Sequence, residues 1–273
     1  MTKLDDREQL LRQFFPITTG YGWGHLKEPV LVLDGKMLEW QPNINFSAKT
    51  VRIFGANDKI FDGICDTLSA DTVTFYKTRV TNLSSLTKIS GLKRLWIEWN
   101  NKLIDLSPLA SLTQLDALVL IDIPKANDLS PLAKLKNLRL LEFSGAASLS
   151  KQNTAATLSP LGALKQLEEL HLRNVKIIDD GLRPLAKCSN LKRLYVANTF
   201  ATEDYAYLAA NLPKVTCQHF AATVPLTSGV FGDGLDTMVV GKRKPLLSSK
   251  HNADRIAKYE KRFAELKAQF LKA

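Results

Sequence analysis

The chain has 273 residues, 45% of them hydrophobic, and a formal net charge of +10. That is enough apolar material for one extended domain or two ordinary ones, and it excludes a disordered chain. No apolar run approaches the ~20 residues needed to cross a bilayer. Three scattered cysteines, Cys65, Cys188 and Cys217, without a CxxC pair, argue against a disulfide framework and against a zinc site.

In chain order, residues 1–29 are expected to form an N-terminal cap. MTKLDDREQLLRQFF is acidic early and lacks the apolar centre of a secretory signal. It reads as an amphipathic helix with Leu4, Leu11, Phe14 and Phe15 on or near one side. The expectation is therefore a cytoplasmic protein with reduced, mostly buried thiols. GYGWGH at 20–25 has three glycines but no following Lys-Ser/Thr, so it is a turn rather than a phosphate cradle, with Trp23 covering the open end of the core.

From residue 30 to residue 218 one pattern recurs. LSPLA stands at 106–110 and 129–133, and LSPLG at 158–162, each trailed by an LxxLxL core. The cores are Leu92, Leu95 and Ile97; Leu115, Leu118 and Leu120; Leu138, Leu141 and Phe143; Leu167, Leu170 and Leu172; and Leu191, Leu194 and Val196. Their first residues are spaced by roughly 23, 23, 29 and 24 positions, and the long interval holds the polar insertion SGAASLSKQNTAAT. Weaker units precede them at Val73 and Phe75, at Val51 and Ile53, and at Leu31 and Leu33 or Val30 and Val32; Leu212, Val215 and Cys217 follow. About nine stacked strands are predicted.

The alternation in LxL sends two apolar side chains to one face of a short strand and the middle residue to the other. The LSPLA half makes the return path, with proline stiffening it. One unit cannot bury its apolar face alone, and stacking the units makes a continuous core with a parallel sheet along one side. These residues resemble bacterial leucine-rich repeat proteins. Residues 83–172 are similar to internalin-type repeats, and IDDGLRPLAKCSNLKRLYV and TEDYAYLAANLPKVTC, over 178–217, to helical-backed ones. The resemblance implies an α/β solenoid, a horseshoe with its sheet on the concave face. The asparagine that follows the strand in that family stands at Asn100 but gives way to Ile123, Ala146, Val175 and Thr199, so a buried asparagine ladder should be broken. Internalins are exported; without a signal here, their host-adhesion role is not implied.

Residues 219–273 read as a basic appendix. Thr237 to Val240 is a short β-prone run between turn glycines, GDG at 232–234 among them. The final stretch is a helix capped by Asn252 or Ser249, with Ile256, Tyr259, Phe263, Leu266 and Phe270 along one side. From Gly241 onward ten cations face three acids, so about seven of the ten net charges lie here. The helix is either a cap over the last repeat or a mobile arm for an acidic partner. Lys242, Arg243 and Lys244 form a solvated turn or a phosphate contact, and Lys261 and Arg262 extend the basic run.

No metal, cofactor or catalytic motif is recognisable. His25, His171, His219 and His251 lack partners at ligand spacing. The middle strand positions, Arg52, Thr74, Trp96, Val119, Glu142, His171, Tyr195 and Thr216, should face outward. So should the next column, Phe54, Tyr76, Glu98, Ile121, Ser144, Arg173, Ala197 and Gln218, with Trp99 beside it. Glu142 and Tyr195 are expected to flank His171. Phe54, Tyr76, Trp96, Trp99, Val119 and Ile121 make an apolar first half; Glu142, His171, Arg173 and Tyr195 make a polar second half. Large apolar groups on an open face mean that the N-terminal segment or the 146–157 insertion folds over them, that a partner does, or that the strands are misregistered. The leading expectation is a non-enzymatic protein-binding scaffold, anchored at Trp96 with Tyr76 and Trp99, of the bacterial immunity-protein or effector type. The alternative is a nucleic-acid or anionic-surface binder acting through the basic tail.

Overall fold

The computed structural model describes residues 31–34, 45–146, 152–226 and 234–271. The expected N-terminal helix, the GYGWGH turn with Trp23 and His25, the middle of the 146–157 insertion and most of the GDG turn lie outside those residues. Fifteen strands are described, in chain order β1 (Leu31–Asp34), β2 (Phe46–Ser47), β3 (Thr50–Phe54), β4 (Leu68–Ser69), β5 (Thr72–Tyr76), β6 (Arg94–Glu98), β7 (Ala117–Ile121), β8 (Leu140–Ser144), β9 (Asn153–Ala155), β10 (Glu169–Leu172), β11 (Val175–Ile177), β12 (Arg193–Val196), β13 (Thr223–Pro225), β14 (Thr237–Val239) and β15 (Leu246–Leu247).

Eight of them form one parallel sheet in the order β1-β3-β5-β6-β7-β8-β10-β12. The register follows the repeat: Leu95 pairs with Leu118 and Leu118 with Leu141, and Leu170 pairs with Leu194. Leu31 pairs with Val51 and Leu33 with Ile53, which selects the leucines of the first strand over its valines. All the inward residues of the five strong cores are buried and belong to one continuous apolar core that runs the length of the solenoid. The fold is the expected α/β solenoid of leucine-rich repeats.

The return paths explain the repeated five letters. Each LSPL begins a five-residue 3-10 turn, Ser107–Ser111, Ser130–Lys134 and Ser159–Ala163, with proline near its start, where no backbone N–H is needed. Asp105 and Asp128, two residues before the serine, accept its backbone N–H at 2.8 Å and also accept a hydrogen bond from its hydroxyl. In the third unit Thr157 stands in that position, and Asp180 of the following unit accepts from the Thr157 hydroxyl, from the Leu158 N–H and from the Ser159 hydroxyl.

Two expectations need correction, and one helix was not anticipated. The 178–190 unit does not return through an α-helix: Pro184 sits at the start of a short 3-10 turn, Arg183–Lys187, like those before it. Among the described residues the α-helices are α1 (Asp58–Thr67), α2 (Thr202–Asn211) and α3 (Ala253–Leu271). The first was not anticipated; Asn57 caps it by accepting the Lys59 N–H, and it buries Phe61, Ile64 and Cys65 at helical spacing. The ninth strand shrinks to a single bridge, Arg193 to Thr216, which places Thr216 opposite Arg193 and not opposite Tyr195. Cys217 therefore lies opposite Leu194 and Val215 opposite Lys192, two residues earlier than the motif suggested.

The broken asparagine ladder is mended from outside the repeat. Asn100 is buried; its Nδ2 donates to Val80 O at 2.9 Å and its Oδ1 accepts from Lys102 and Leu103. Where Ile123 replaces asparagine, Asn153 enters instead, accepting the Ile123 N–H at 3.0 Å and donating to Ser144 O at 2.8 Å. Asn153 opens β9, which pairs with β11 as a small parallel sheet beside the main one.

At the far end β13, β14 and β15 form a three-stranded antiparallel sheet, and α3 packs along α2. Asn252 immediately precedes α3, and its carbonyl accepts the Ile256 N–H. Phe263 and Leu266 are buried in the main core, while Tyr207 meets Phe270 at 5.4 Å between ring centres.

Candidate functional site

The candidate site is the concave side of the sheet, where the middle residue of each strand points. Its geometry differs from the expected open strip. Trp96 is only 2% exposed, and Val119, Ile121, Glu142 and His171 are buried with it. Trp96, Ala117, Val119, Ile121 and Leu140 make a second apolar cluster, separate from the main core. The physical reason is lateral crowding. Neighbouring strands are only ~4.8 Å apart, so a middle-column side chain is walled in by its neighbours on both strands and by the columns beside it. The register that placed these residues on the concave face is right; the exposure inferred from it is not. Trp96 is thus a packed side chain rather than an accessible anchor, and its Nε1 donates to Glu98 Oε2 at 3.0 Å.

The accessible residues lie beside that column. Phe54, Tyr76 and Glu98 are half-buried and Trp99 is 39% exposed. Phe54 and Tyr76 meet edge to face at 5.5 Å, and Tyr76 and Trp99 do so at 5.9 Å, giving a three-step aromatic ladder across β3, β5 and the end of β6. Cations lie on it. The Arg52 guanidinium stands 4.9 Å from the Phe54 ring centre and 5.4 Å from that of Tyr76, and Lys77 Nζ stands 5.4 Å from that of Trp99. Burial of the Arg52 guanidinium lowers its pKa, and its Nε has no hydrogen-bond partner. Arg52 and Lys77 were not among the predicted contact residues. The signal for Arg52 was its place in the middle column; Lys77 had none.

The residue after each of β3, β5, β6 and β7 adopts a left-handed conformation, at Gly55, Lys77, Trp99 and Asp122, as does Asn174, two residues after β10. Glycine, asparagine and aspartate suit it, whereas tryptophan at φ +61 is a strained choice.

The polar half comes together as expected. His171 Nδ1 lies 3.6 Å from Glu142 Oε2, and the His171 and Tyr195 rings are 4.6 Å apart. Arg173, exposed, reaches Glu142 Oε1 at 3.6 Å, and Arg193 Nη2 meets Glu169 Oε1 at 2.5 Å. Neither ring nitrogen of His171 has a hydrogen-bond partner. Ser144, on the Glu142 strand, is also buried, and its hydroxyl accepts the Arg173 N–H. This arrangement has the features of a packed polar cluster rather than a nucleophile–base pair. The remaining predicted residues, Lys242, Arg243, Lys244, Lys261 and Arg262, are exposed on the appendix, away from the sheet.

Neither a family model nor a curated protein sequence matches the chain. Among solved structures, internalin C2 of Listeria monocytogenes is 22% identical, with a TM-score of 0.45, over 63% of this chain and 66% of that one. The ectodomain of the Arabidopsis receptor kinase HAESA, solved with a peptide hormone, is 19% identical at a TM-score of 0.41, over 61% and 28%. A leucine-rich repeat protein of Leptospira interrogans is 14% identical at a TM-score of 0.35, over 61% and 52%. The chain thus spans less than two thirds of the length of each of these proteins. Its own LxxLxL register, 3-10 returns and eight-stranded parallel sheet make this protein a leucine-rich repeat solenoid.

Proposed function

We propose that the protein is a non-enzymatic scaffold for protein recognition, acting through the concave face. Residues 30–218 are the recognition unit and 219–273 close its end. The observation that carries the reading is Trp99. A large aromatic side chain occupies a left-handed backbone position, at the rim of the sheet, and leaves 39% of its surface in solvent. Folding gains little from that choice, since asparagine or glycine would relieve ~1–2 kcal/mol of strain. A strained, exposed tryptophan beside Tyr76, Phe54 and two cations fits an interface hot spot. Glu98, Arg173 and Tyr195 orient the partner further along the face. The finer reading is a cytoplasmic bacterial immunity protein or effector-type binder, with a toxin or host protein as the partner.

Trp99→Asn separates recognition from folding. The protein captured by the wild type is purified and titrated calorimetrically against both forms, and each form is melted. The expected result is a melting temperature equal to or above wild type with binding weakened at least tenfold, about 1.4 kcal/mol per decade. Unchanged affinity in Trp99→Asn overturns the reading.

A further inference from the structure

The basic appendix carries a second surface. We propose that it binds the phosphate backbone of duplex nucleic acid without reading the bases.

The 241–245 turn is held rigidly. Gly241 has φ +134, and a Cβ there would collide with Thr202 Oγ1, so only glycine fits. Its N–H donates to Asn198 Oδ1 at 2.7 Å, and the Lys242 N–H to Phe200 O at 2.6 Å. Asn198 Nδ2 donates to Val239 O at 3.0 Å and the Thr202 hydroxyl to Val240 O at 2.9 Å. The end of the last repeat thus clamps a turn that presents Lys242, Arg243 and Lys244 to solvent. Arg243 itself is left-handed, at φ +59.

Helix α3 brings more charge to the same place. Lys244 Nζ lies 5.6 Å from the Tyr259 ring centre. Arg255 and Arg262, at i−4 and i+3, are helical neighbours of Tyr259, and Lys258 stands three residues after Arg255 and four before Arg262; all three are exposed. Of these six cations only Arg262 makes an ion pair among the described residues, with Glu265 at 3.9 Å. Six clustered cations with one weak internal partner fit a polyanion.

The composition of the patch selects the polyanion. Protein interfaces have apolar or aromatic centres, whereas nucleic-acid interfaces are polar and strongly basic. The large exposed apolar residues described are Trp99, Ile104 and Ile178 in the repeats and Leu271 at the far end of α3; none lies in the patch. Tyr259 is half-buried beneath Lys244, so it offers no platform for stacking unpaired bases. That favours the backbone of a duplex over a single strand. Arg255 to Arg262 spans about 10 Å of helix at ~1.5 Å per residue, within reach of successive phosphates.

The test is fluorescence anisotropy of the full chain with two labelled 20-base-pair DNA duplexes of unrelated sequence, from 50 to 300 mM KCl. Equal affinity for both is expected, with log K falling against log salt at a slope of about −4 to −6, roughly 0.9 per phosphate neutralised. K242E/R243E/K244E should weaken binding at least thirtyfold and reduce the slope by about three. R255E/R262E should weaken it too, and keeps the test decisive if the turn variant misfolds. Trp99→Asn should bind duplex like the wild type, which separates this surface from the concave one. The proposal is overturned by no duplex binding at 50 mM salt, by salt-insensitive binding, or by full binding in both reversal variants. A preference for anionic vesicles, or for polyglutamate, over duplex at equal charge also overturns it.

Discussion

At the scale of single residues, polar groups carry the exacting tasks. Asn153 satisfies two buried backbone groups, the Ile123 N–H and the Ser144 carbonyl. Asn153→Ala leaves both without a partner and should cost about 1–3 kcal/mol for each group left unsatisfied. Asn137→Ala, which removes an exposed side-chain bond to Thr113 O, should cost far less. Urea unfolding of both variants checks the contrast; equal midpoints would remove the mending role given to Asn153. Trp96→Ala is now a core truncation. Its expected cost is about 3–5 kcal/mol, against a neutral or stabilising Trp99→Asn. Two neighbouring tryptophans thus predict opposite melts, because Trp96 is buried and Trp99 is exposed at a strained left-handed position.

At the scale of elements, helix α3 joins the core through Phe263 and Leu266 and covers α2. Phe263→Ala should cost about 3–5 kcal/mol if that packing is continuous with the solenoid. Deletion of 249–273 should produce earlier melting or aggregation, read by thermal scanning and light scattering; a deletion as stable as the full chain would mean that α3 closes nothing. The edge of the sheet carries a ladder of alternating charge: Arg94 to Asp116 at 3.3 Å, Arg139 to Glu168 at 3.0 Å and Lys192 to Glu168 at 2.7 Å. Arg139 and Lys192 are exposed while Arg94, Asp116 and Glu168 are half-buried, and pairs this close to solvent stabilise little. They match the strand register, and a one-residue slip would separate the partners.

At the scale of the whole molecule, the shared core makes stability collective. Leu141→Ala should cost about 2–5 kcal/mol and lower hydrogen-exchange protection in the repeats on both sides, not in its own alone. The pH response has two stages. Burial holds the His219 pKa below its usual 6.5, so the folded protein prefers the neutral ring. The contribution is complete above about pH 6.5 and declines as pH falls through the lowered folded value, first at the junction of repeat and appendix. Hydrogen bonds from Arg139 and Lys192 hold Glu168 below 4.5, and Ser249 holds Asp236 below 3.8. Their contributions are present above those values and are lost on further acidification. Asp204, raised by burial, works in the opposite sense. Melts from pH 8 to 3 should show a first decline that His219→Phe removes and a second that it leaves; a flat profile from pH 7 to 5 in the wild type would exclude the histidine stage.

The sequence by itself determined the repeat, the inward leucines, the strand register through Val196 and the place of the basic appendix. Those follow from the local period of apolar residues, which one chain segment expresses without help from the others. The prolines in LSPL and LRPL likewise carry the 3-10 returns locally, although the resemblance to helical-backed repeats obscured the one at 183–187. Accessibility belongs to another order of information. Whether Trp96 or Trp99 meets solvent depends on the side chains of adjacent strands and on one backbone dihedral, neither of which the alternation of LxL encodes. The same holds for Asn153, which reaches a backbone position 30 residues away in sequence, and for the clamped 241–245 turn, whose partners Asn198, Phe200 and Thr202 lie about 40 residues earlier. Local pattern decides which face a residue occupies. Long-range packing decides whether that face is open, because the neighbours that cover it come from elsewhere in the chain.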